Sequence, residues 1–545
     1  MIITRGDGKG STGFLSLAVA ILCLGWSVAV PGVVAGQGQP PPGGEAVYRR
    51  PLGHDPGTLD PARVRDIYGL SVTAQVFDGL VQFDRTLAIT PALAQHWKAS
   101  RDGLTWTFTL RRGVRFHDGN EITSDDVVYS ITRLLDPKVN SVVAGLFTGI
   151  KGAGEFRDGR AARVAGLSAP DRYTVQVLLD DNSVPFVSLL SLGHAKIVPA
   201  AVIKHSGESF GQHPVGTGAF KFVRWERGKE IVLAANPGYF EGAPRLSGLV
   251  FRIFPGNQSD AMYEAFQRGH LEDSPPPSKN YGAAVGSKRH LYMKRPMLSL
   301  RFYGLNTRIK PLDDRRIRQA LNYAIDQESL VEDVFLGRYA PARGVLPPGT
   351  LGFNPQLRGY PYDPPRARQL LKEAGYPGGN GLPVLQIWSS VKRDEIVRSH
   401  EHVQRYLAAV GIRCEFHYLT DWPAFSKLLA EGRLPIFLYG WYADVPDPDS
   451  FLFRLFYSKS LQNYTAFSNR SVDDLLLMAR RQSELQPRVE MYRRAEQAIL
   501  DEAPIIPILH HTYERLFQPY VRSVEVNGLG DPYIPLRKMW LDRRE

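Results

Sequence analysis

A cluster of carboxylates follows an apolar, aromatic run near the C-terminal third of the chain. Residues 435–442 read Pro-Ile-Phe-Leu-Tyr-Gly-Trp-Tyr and predict a buried strand, and Asp444, Asp447 and Asp449 come directly after it. In open α/β sheets, ligands bind in the crevice beyond the strand ends. A carboxylate at that place, flanked by aromatic faces, suits the cationic head of a ligand. Asp444 lies nearest to the strand and is our candidate for this contact, with an inert turn residue as the alternative.

The same segment has the features of a turn followed by a helix. Pro446 and Pro448 favour a turn, and Asp449 is placed to N-cap a helix over residues 450–456. We therefore expect Asp449 to act as a cap and Asp447 to be solvated.

The helix and strand signals that surround this segment predict a layered lobe. Alternating apolar strands and amphipathic helices follow residue 300, which favours a three-layer α/β arrangement. Asp313 and Asp363 are expected to cap two of these helices. In the first half of the chain, Thr123 and Asp126 have the spacing of a capping box.

Short motifs recur along the chain in the order typical of one protein family. They are Thr58-Leu-Asp-Pro61, Phe77-Asp-Gly-Leu80, Pro91-Ala-Leu-Ala94 with Trp97, residues 102–119, Val215-Gly-Thr-Gly218, Arg318-Gln-Ala-Leu321 with Ala324-Ile-Asp326, Leu370-Leu-Lys-Glu-Ala-Gly375, Val410-Gly-Ile412 and Gly440-Trp-Tyr-Ala-Asp-Val-Pro-Asp-Pro-Asp449. Each motif is weak by itself, but the ordered set covers essentially all of the mature chain. The chain resembles the family 5 extracellular solute-binding proteins, which are dipeptide-, oligopeptide- and nickel-binding receptors of ABC importers.

This resemblance implies an α/β, two-lobed, periplasmic-binding-protein-like fold of type II, in its large three-domain form, with the ligand cleft between the lobes. It places domain I at residues 46–80, 197–297 and 511–545, domain II at residues 81–196, and domain III at residues 298–510. The chain is expected to cross between the lobes near residues 298–303 and again near residues 505–511.

The resemblance also implies roles for particular residues. In the dipeptide receptors, an aspartate at the spacing of Asp444 holds the α-amino group of the ligand. The loop after Trp388 carries an arginine for the ligand carboxylate, and Arg393 is the nearest match. Because this loop is a few residues shorter here, Lys392 is an alternative, and a solvated arginine or a helix-start salt bridge is another. Asp55 lies in a loop that often lines the pocket in this family. It either helps to hold a cationic group of the ligand or has only a structural role in a turn.

Three aromatic residues are further candidates for the wall of the cleft. Trp441 and Tyr442 end the predicted strand, and Tyr464 follows the predicted helix. Aromatic residues at strand ends are also common in protein cores, so a purely structural role stays open for all three.

The usual metal-binding motifs are missing from the sequence. His400 and His402 diverge by about 200° on a helix, and the adjacent His510 and His511 point two ways on a strand. His-Glu-x-x-His and Cys-x-x-Cys do not occur. We therefore expect a binding protein with no metal site and no cofactor. An exported hydrolase is the rival class, because a carboxylate pair cannot be recognised from sequence alone.

The N-terminus has the features of an export signal. Arg5 and Lys9 precede an apolar stretch over residues 14–30, and small residues lead to Ala35, so residues 1–35 predict a signal peptide. Residues 36–45 are rich in Gly, Pro and Gln and predict a flexible leader. Cys23 suggests lipidation, but the bulky Leu22 before it disfavours a lipoprotein site.

The composition limits the possible partners. The formal charge is +11, and removing two cations and one aspartate with residues 1–35 leaves +10. The basic residues are scattered, whereas nucleic-acid-binding proteins typically show a clustered basic stripe. Only Cys414 remains after cleavage, so no intramolecular disulfide is possible.

Together these features predict an exported, periplasmic and monomeric receptor that binds a small peptide and delivers it to a membrane-embedded ABC permease, with no nucleic-acid partner. A receptor for a nickel-metallophore, haem, opine or sugar is the alternative.

Overall fold

The computed structural model describes residues 46–543. The predicted signal peptide, the leader, Cys23 and the last two residues lie outside this range. Within it, no helix combines the length and the apolar character needed to span a lipid bilayer.

The described part of the chain alternates between strands and helices. Its strands are β1 (Val47–Leu52), β2 (Val81–Phe83), β3 (Ile89–Pro91), β4 (Ala94–Ala99), β5 (Thr105–Leu110), β6 (Leu167–Asp171), β7 (Thr174–Leu178), β8 (Phe220–Glu226), β9 (Glu230–Ala235), β10 (Gly248–Ile253), β11 (Asp273–Ser274), β12 (Leu291–Pro296), β13 (Ser299–Leu305), β14 (Ala340–Pro341), β15 (Leu385–Ser389), β16 (Cys414–Tyr418), β17 (Ile436–Tyr442), β18 (Ile505–His510), β19 (Thr512–Phe517), β20 (Val521–Arg522) and β21 (Trp540–Leu541). Its α-helices are α1 (Ile67–Val76), α2 (Ser124–Leu135), α3 (Ala153–Arg157), α4 (Phe186–Leu189), α5 (Ala200–Ser206), α6 (Ser259–Gln267), α7 (Tyr281–Val285), α8 (Arg315–Ala324), α9 (Gln327–Phe335), α10 (Pro364–Glu373), α11 (Asp394–Ala409), α12 (Trp422–Ala430), α13 (Leu452–Phe456), α14 (Arg470–Arg481) and α15 (Leu485–Glu502).

We call the part built from residues 46–297 and 511–543 lobe 1. It contains two four-stranded sheets, ordered β1-β10-β9-β8 and β4-β5-β7-β6, a three-stranded sheet ordered β11-β19-β12, and two small ribbons, β2-β3 and β20-β21. The first four-stranded sheet packs around Phe220 and Phe251, and the second around Phe108 and Phe147. Lobe 1 therefore has two main hydrophobic cores.

We call residues 298–510 lobe 2. Its six-stranded sheet has the order β14-β18-β13-β17-β15-β16. Successive residues of β13 contribute to opposite faces: Leu300 and Phe302 pack with helices α12–α15, whereas Tyr303 and Leu305 pack with helices α8–α11. The expected three-layer lobe is confirmed.

The ends of five strands of the lobe 2 sheet meet at one edge. β15, β16 and β17 are mutually parallel, and β13 runs antiparallel to both β17 and β18. The carboxyl ends of β15–β18 therefore meet the start of β13, and we call this side of the sheet the cleft edge. It is the position at which open α/β sheets bind ligands.

The chain crosses between the lobes at two adjacent points. One lies between β12 and β13 at Met297 and Leu298, and the other lies at His511 between β18 and β19. The backbone N–H of Met297 donates to the carbonyl of His511 at 2.8 Å, and the N–H of His511 donates to Ser299 Oγ at 3.0 Å. Each crossing thus lies at one end of the segment predicted for it, residues 298–303 or 505–511. The exact boundaries of domains I to III stay a prediction.

Most of the predicted helix caps are present. The capping box of Thr123 and Asp126 begins α2, and Asp363 accepts a hydrogen bond from the N–H of Arg366 at 2.9 Å in α10. The cap of α8 is Asp314, not Asp313 as predicted. The two aspartates are adjacent in sequence, so the pattern could not tell which of them begins the helix.

Candidate ligand-binding site

Asp444 lies just beyond β17 at the cleft edge. The N–H of Ala443 donates to the carbonyl of Leu298 at 2.8 Å, which holds Asp444 beside the crossing between the lobes. Within residues 46–543, its carboxylate has neither a hydrogen-bond donor nor an ion-pair partner, although it is only partly exposed. Burial raises its pKa, and the nearby Arg454 offsets part of this shift. An acceptor in this state is available to a cationic ligand.

A cavity of about 370 Å³ opens beside Asp444. Lobe 1 contributes residues 145–150 and part of 179–189, and lobe 2 contributes the loop after β17 with α13 and α14. Its charged lining residues are Asp180, Asp181, Asp444, Asp449, Arg454, Arg480 and Arg481. The volume is within the range of small-molecule sites, about 300–1,000 Å³. The mixture of both charge signs suits a zwitterionic ligand.

Three arginines line the cavity: Arg481, which is paired with Asp181, and Arg454 and Arg480. The Nε atom of Arg454 is enclosed and has no hydrogen-bond partner among the described residues. Arg480 places its guanidinium 4.0 Å from the ring centroid of Phe453 and its Nε 3.1 Å from the carboxylate of Asp449. Sequence reasoning missed Arg454 and Arg480, because neither lies in a recognisable motif.

The other two acids of the loop have structural partners, and both predictions for them were wrong. Asp447 is buried and accepts hydrogen bonds from the N–H of Asp449 at 2.9 Å and from Arg488 at 2.8 Å. Asp447 is therefore the cap of the short turn that follows, and it is not solvated. Asp449 is also buried next to Arg480, and burial raises the pKa of Asp449 to about 6. The sequence does not reveal these partners because they come from α14 and α15.

Trp441 and Tyr442 lie on opposite faces of the sheet, since side chains alternate along a strand. Trp441 donates from its indole N–H to the carbonyl of Ser450 at 2.7 Å, so it holds the loop that carries Asp444. Tyr442 is 52% exposed and stacks on His511 with ring centroids 5.3 Å apart.

Tyr464 lies on the Trp441 face of the sheet. Its ring centroid is 5.6 Å from that of Tyr439, which in turn stacks 6.5 Å from Trp441. Tyr464 therefore belongs to an aromatic row on this face and does not line the cavity beside Asp444.

Arg393 lies on the Tyr442 side, away from the lining of the cavity. It precedes α11, and its side chain is exposed. Burial raises the pKa of Tyr442 and lowers that of His511; the positive charge of Arg393 opposes the first shift and adds to the second. Lys392 places its ammonium 5.4 Å from the ring centroid of Tyr418. Neither cation forms an ion pair with any residue in the described range, so the predicted choice between them stays open.

Asp55 is occupied by structural contacts in lobe 1. It accepts hydrogen bonds from the indole of Trp225 at 2.8 Å and from the N–H of Gly228 at 2.7 Å, which braces the turn between β8 and β9. It does not line the cavity. Its proposed contact with a ligand stays a prediction, and both of its oxygens already have donors.

Direct contacts join the lobes at the rim of the cavity. The N–H of Val184 donates to the carbonyl of Arg480 at 2.9 Å, and Arg481 forms an ion pair with Asp181 at 2.5 Å. Among residues 46–543, no group of three or more His, Cys, Asp or Glu side chains is arranged to hold a metal ion.

Two α/β lobes joined by paired crossings, with a polar cavity between them at the strand ends, define the architecture of a solute-binding protein. The sequence profile of "Bacterial extracellular solute-binding proteins, family 5 Middle" matches residues 88–463. The chain belongs to this family.

Individual relatives agree with this assignment. The chain is 30% identical to the dipeptide-binding protein of Escherichia coli K12, over 84% of this chain and 87% of the relative. It is 31% identical to heme-binding protein A of Haemophilus influenzae, over 88% of this chain and 89% of the relative. The ABC transporter-associated periplasmic binding protein DppA from Helicobacter pylori, solved in complex with the peptide STSA, superposes with a TM-score of 0.73 at 27% identity, covering 91% of this chain and 98% of that one.

Proposed function

We propose that this protein is the receptor of an ABC importer, and that it captures a peptide between its lobes and delivers it to the membrane-embedded permease. The observation that carries the proposal is the carboxylate of Asp444, which has no partner among the described residues and lies in the interlobe cavity. Its place at the strand ends of lobe 2 suits the α-amino group of a peptide.

The relatives support the same proposal. One of them is a dipeptide-binding protein, and the protein DppA is described as associated with an ABC transporter and holds a peptide. Heme-binding protein A is a relative of similar identity, so haem belongs in any ligand screen.

The proposed mechanism is a closure of the lobes around the ligand. A ligand that binds the open and the closed states equally does not shift the equilibrium between them. The peptide must therefore bind the closed state more tightly. Asp444 and Arg454 meet the lobe 1 residues Asp180 and Asp181 around one cavity, so bringing the lobes together desolvates the charges that hold the ligand. The protein acts as a monomer in the periplasm, performs no chemistry on the peptide, and needs neither a cofactor nor nucleic acid.

The decisive variant is Asp444→Asn, which removes the charge and keeps the shape. Removing one partner of a buried charge pair costs about 2–5 kcal/mol, or roughly thirtyfold to several thousandfold in affinity. A library of di- to pentapeptides, with haem as a separate ligand, is first screened by thermal shift on the wild type. Peptides that stabilise the wild type are then titrated into the variant by calorimetry.

Asp474→Asn is the matched control, because Asp474 is exposed on α14 and its loss removes the same charge. We expect this control to bind peptides like the wild type. An N-acetylated peptide should bind the wild type poorly and be indifferent to Asp444→Asn. Equal binding of the free-amine peptide to the wild type and to Asp444→Asn would refute the amine anchor. Stabilisation by haem alone would refute a peptide ligand.

A further inference from the structure

An apolar residue of lobe 2 is buried in a hydrophobic core of lobe 1. Val445 directly follows Asp444 in the loop after β17, and its side chain is 2% exposed. It belongs to the core around Phe108 and Phe147, and the other described residues of this core all come from lobe 1. Val445 therefore spans the boundary between the lobes, next to the candidate amine anchor.

A polar contact crosses the same boundary at the C-terminal end of α14. The N–H of Val184 donates to the carbonyl of Arg480 at 2.9 Å, and Asn182 Nδ2 donates to the carbonyl of Arg481 at 3.4 Å. Arg481 also forms the ion pair with Asp181 at 2.5 Å. The last carbonyls of a helix have no partner within that helix. Lobe 1 therefore supplies donors that α14 itself lacks.

The apolar and the polar contact act on one loop. Arg480 lies 3.1 Å from the carboxylate of Asp449, and Asp449 belongs with Val445 to the loop that carries Asp444. Burial raises the pKa of Tyr533 in lobe 1, and the charge of Asp444 adds to this shift, so Asp444 acts across the boundary. The end of α14, the loop and lobe 1 thus meet as one unit when the lobes are together.

The apolar contact is the stronger of the two. Burying the two methyl groups of a valine favours the buried state by roughly tenfold. The side chains of Arg481 and Asp181 are 54% and 62% exposed, and an exposed ion pair contributes at most about fivefold. Both contacts join residues of the chain to each other, so they favour the closed arrangement whichever ligand is bound.

We propose that Val445, together with Asp181, Val184 and the end of α14, forms a latch that stabilises the closed arrangement of the lobes before a ligand binds. The apparent affinity of a ligand is its affinity for the competent state, reduced by the fraction of molecules in that state. The latch therefore acts on ligand affinity through closure and positions Asp444 at the boundary. The effect on closure is independent of the ligand, whereas the effect on affinity rests on the proposed function.

Two measurements on Val445→Ala follow the balance between closed and open molecules. Small-angle X-ray scattering gives the radius of gyration of the exported protein, purified free of ligand, and calorimetry gives the Kd of a peptide that stabilises the wild type. Loss of two methyl groups should lower the ratio of closed to open molecules by roughly tenfold. If the wild type is mostly closed, the radius of gyration rises. If it is mostly open, the affinity falls by that factor instead.

The charged pair shows whether the contact acts through closure. Arg481→Glu places a carboxylate against Asp181 and should shift the same balance by about fivefold. Adding Asp181→Arg restores a pair of opposite charges with reversed polarity, so both measurements should return towards the wild type. A direct contact of Arg481 with the ligand would not be restored by this exchange, because the charge at that position stays reversed.

Val472→Ala is the matched control, because Val472 is fully buried on α14 within the core of lobe 2. It should lower the melting temperature but leave the radius of gyration and the Kd unchanged. An unchanged radius and Kd in both Val445→Ala and Arg481→Glu would overturn the latch. An affinity loss in Arg481→Glu that Asp181→Arg does not restore would overturn it as well.

The failure of this inference can be told apart from the failure of the proposed function. If peptides bind the wild type, Val445→Ala and Arg481→Glu equally and the radii are the same, the latch is refuted and the peptide receptor stands. If no peptide of any length binds the wild type, the peptide claim is refuted and scattering alone decides. A larger radius in Val445→Ala, but not in Val472→Ala, then supports the latch, and equal radii refute it.

Discussion

Glu496 links the stability of this protein to pH. It lies on α15, is 1% exposed, and accepts hydrogen bonds from the N–H groups of Val345 and Leu346, both at 2.8 Å. Its second oxygen has no partner among the described residues. Burial raises the pKa of Glu496 from 4.5 to about 7, although the two N–H donors oppose the shift. The neutral, protonated form is therefore preferred in the folded protein.

The sign of the effect follows from proton linkage. The folded carboxyl keeps its proton up to a pH of about 7, whereas the unfolded one loses it near 4.5. The stabilisation is fully present below the unfolded pKa and is lost as the pH rises through the folded pKa. Between pH 5 and pH 8, the wild type loses about 2.5 kcal/mol through this group. Glu496→Gln mimics the protonated form and does not titrate, so it should avoid this loss.

The measurement is the difference in melting temperature between Glu496→Gln and the wild type at several pH values. Unfolding entropy is about 2.1 cal/mol/K per residue, so the difference should grow by roughly 2 °C from pH 5 to pH 8 if the described chain melts as one unit. It should grow by about 6 °C if lobe 2 melts independently. The control is Glu490→Gln, an exposed residue of the same helix, whose difference should stay flat. A difference for Glu496→Gln that is flat, or that falls with rising pH, would refute the reasoning.

Three further predictions concern the loop after β17 and the N-terminus. Asp447→Ala should lower stability by about 3–5 kcal/mol because it leaves the cation of Arg488 buried and unpaired, and adding Arg488→Met should recover part of the loss in a thermal melt. Peptide affinity, measured by calorimetry, should fall as the pH drops through the raised pKa of Asp444. This fall should occur at a higher pH than it would for an exposed aspartate. Asp444→Asn should show no such fall. Intact mass of the exported protein should place its N-terminus near Gly36 without lipid, whereas a diacylglyceryl group on Cys23 would contradict this.

Local signals in the sequence were sufficient for some of the elements of lobe 2. Strand β17 and the helix that begins after Asp363 follow from an apolar run and a capping residue, both of which act within a few residues. The position of Asp444 beyond a strand end follows from the same local pattern. The shift of one residue at the start of α8 shows the limit of such signals, since adjacent aspartates are equivalent until the helix has formed.

The charge partners required the tertiary structure. Three aspartates follow β17 with similar spacing, yet Asp447 and Asp449 are neutralised by Arg488 and Arg480, while Asp444 has no partner in the described chain.

The sequence by itself determined the family, the alternation of strands and helices after residue 300, and the strand end at which Asp444 lies, because these depend on local periodicity and on ordered motifs. Only the tertiary structure decided which carboxylates and guanidinium groups face a cavity without a counter-charge. Whether a charge is available to a ligand depends on contacts between residues that are distant in sequence, such as Asp447 and Arg488. Burial then sets how strongly an unpaired charge acts, and burial is a property of the folded chain alone.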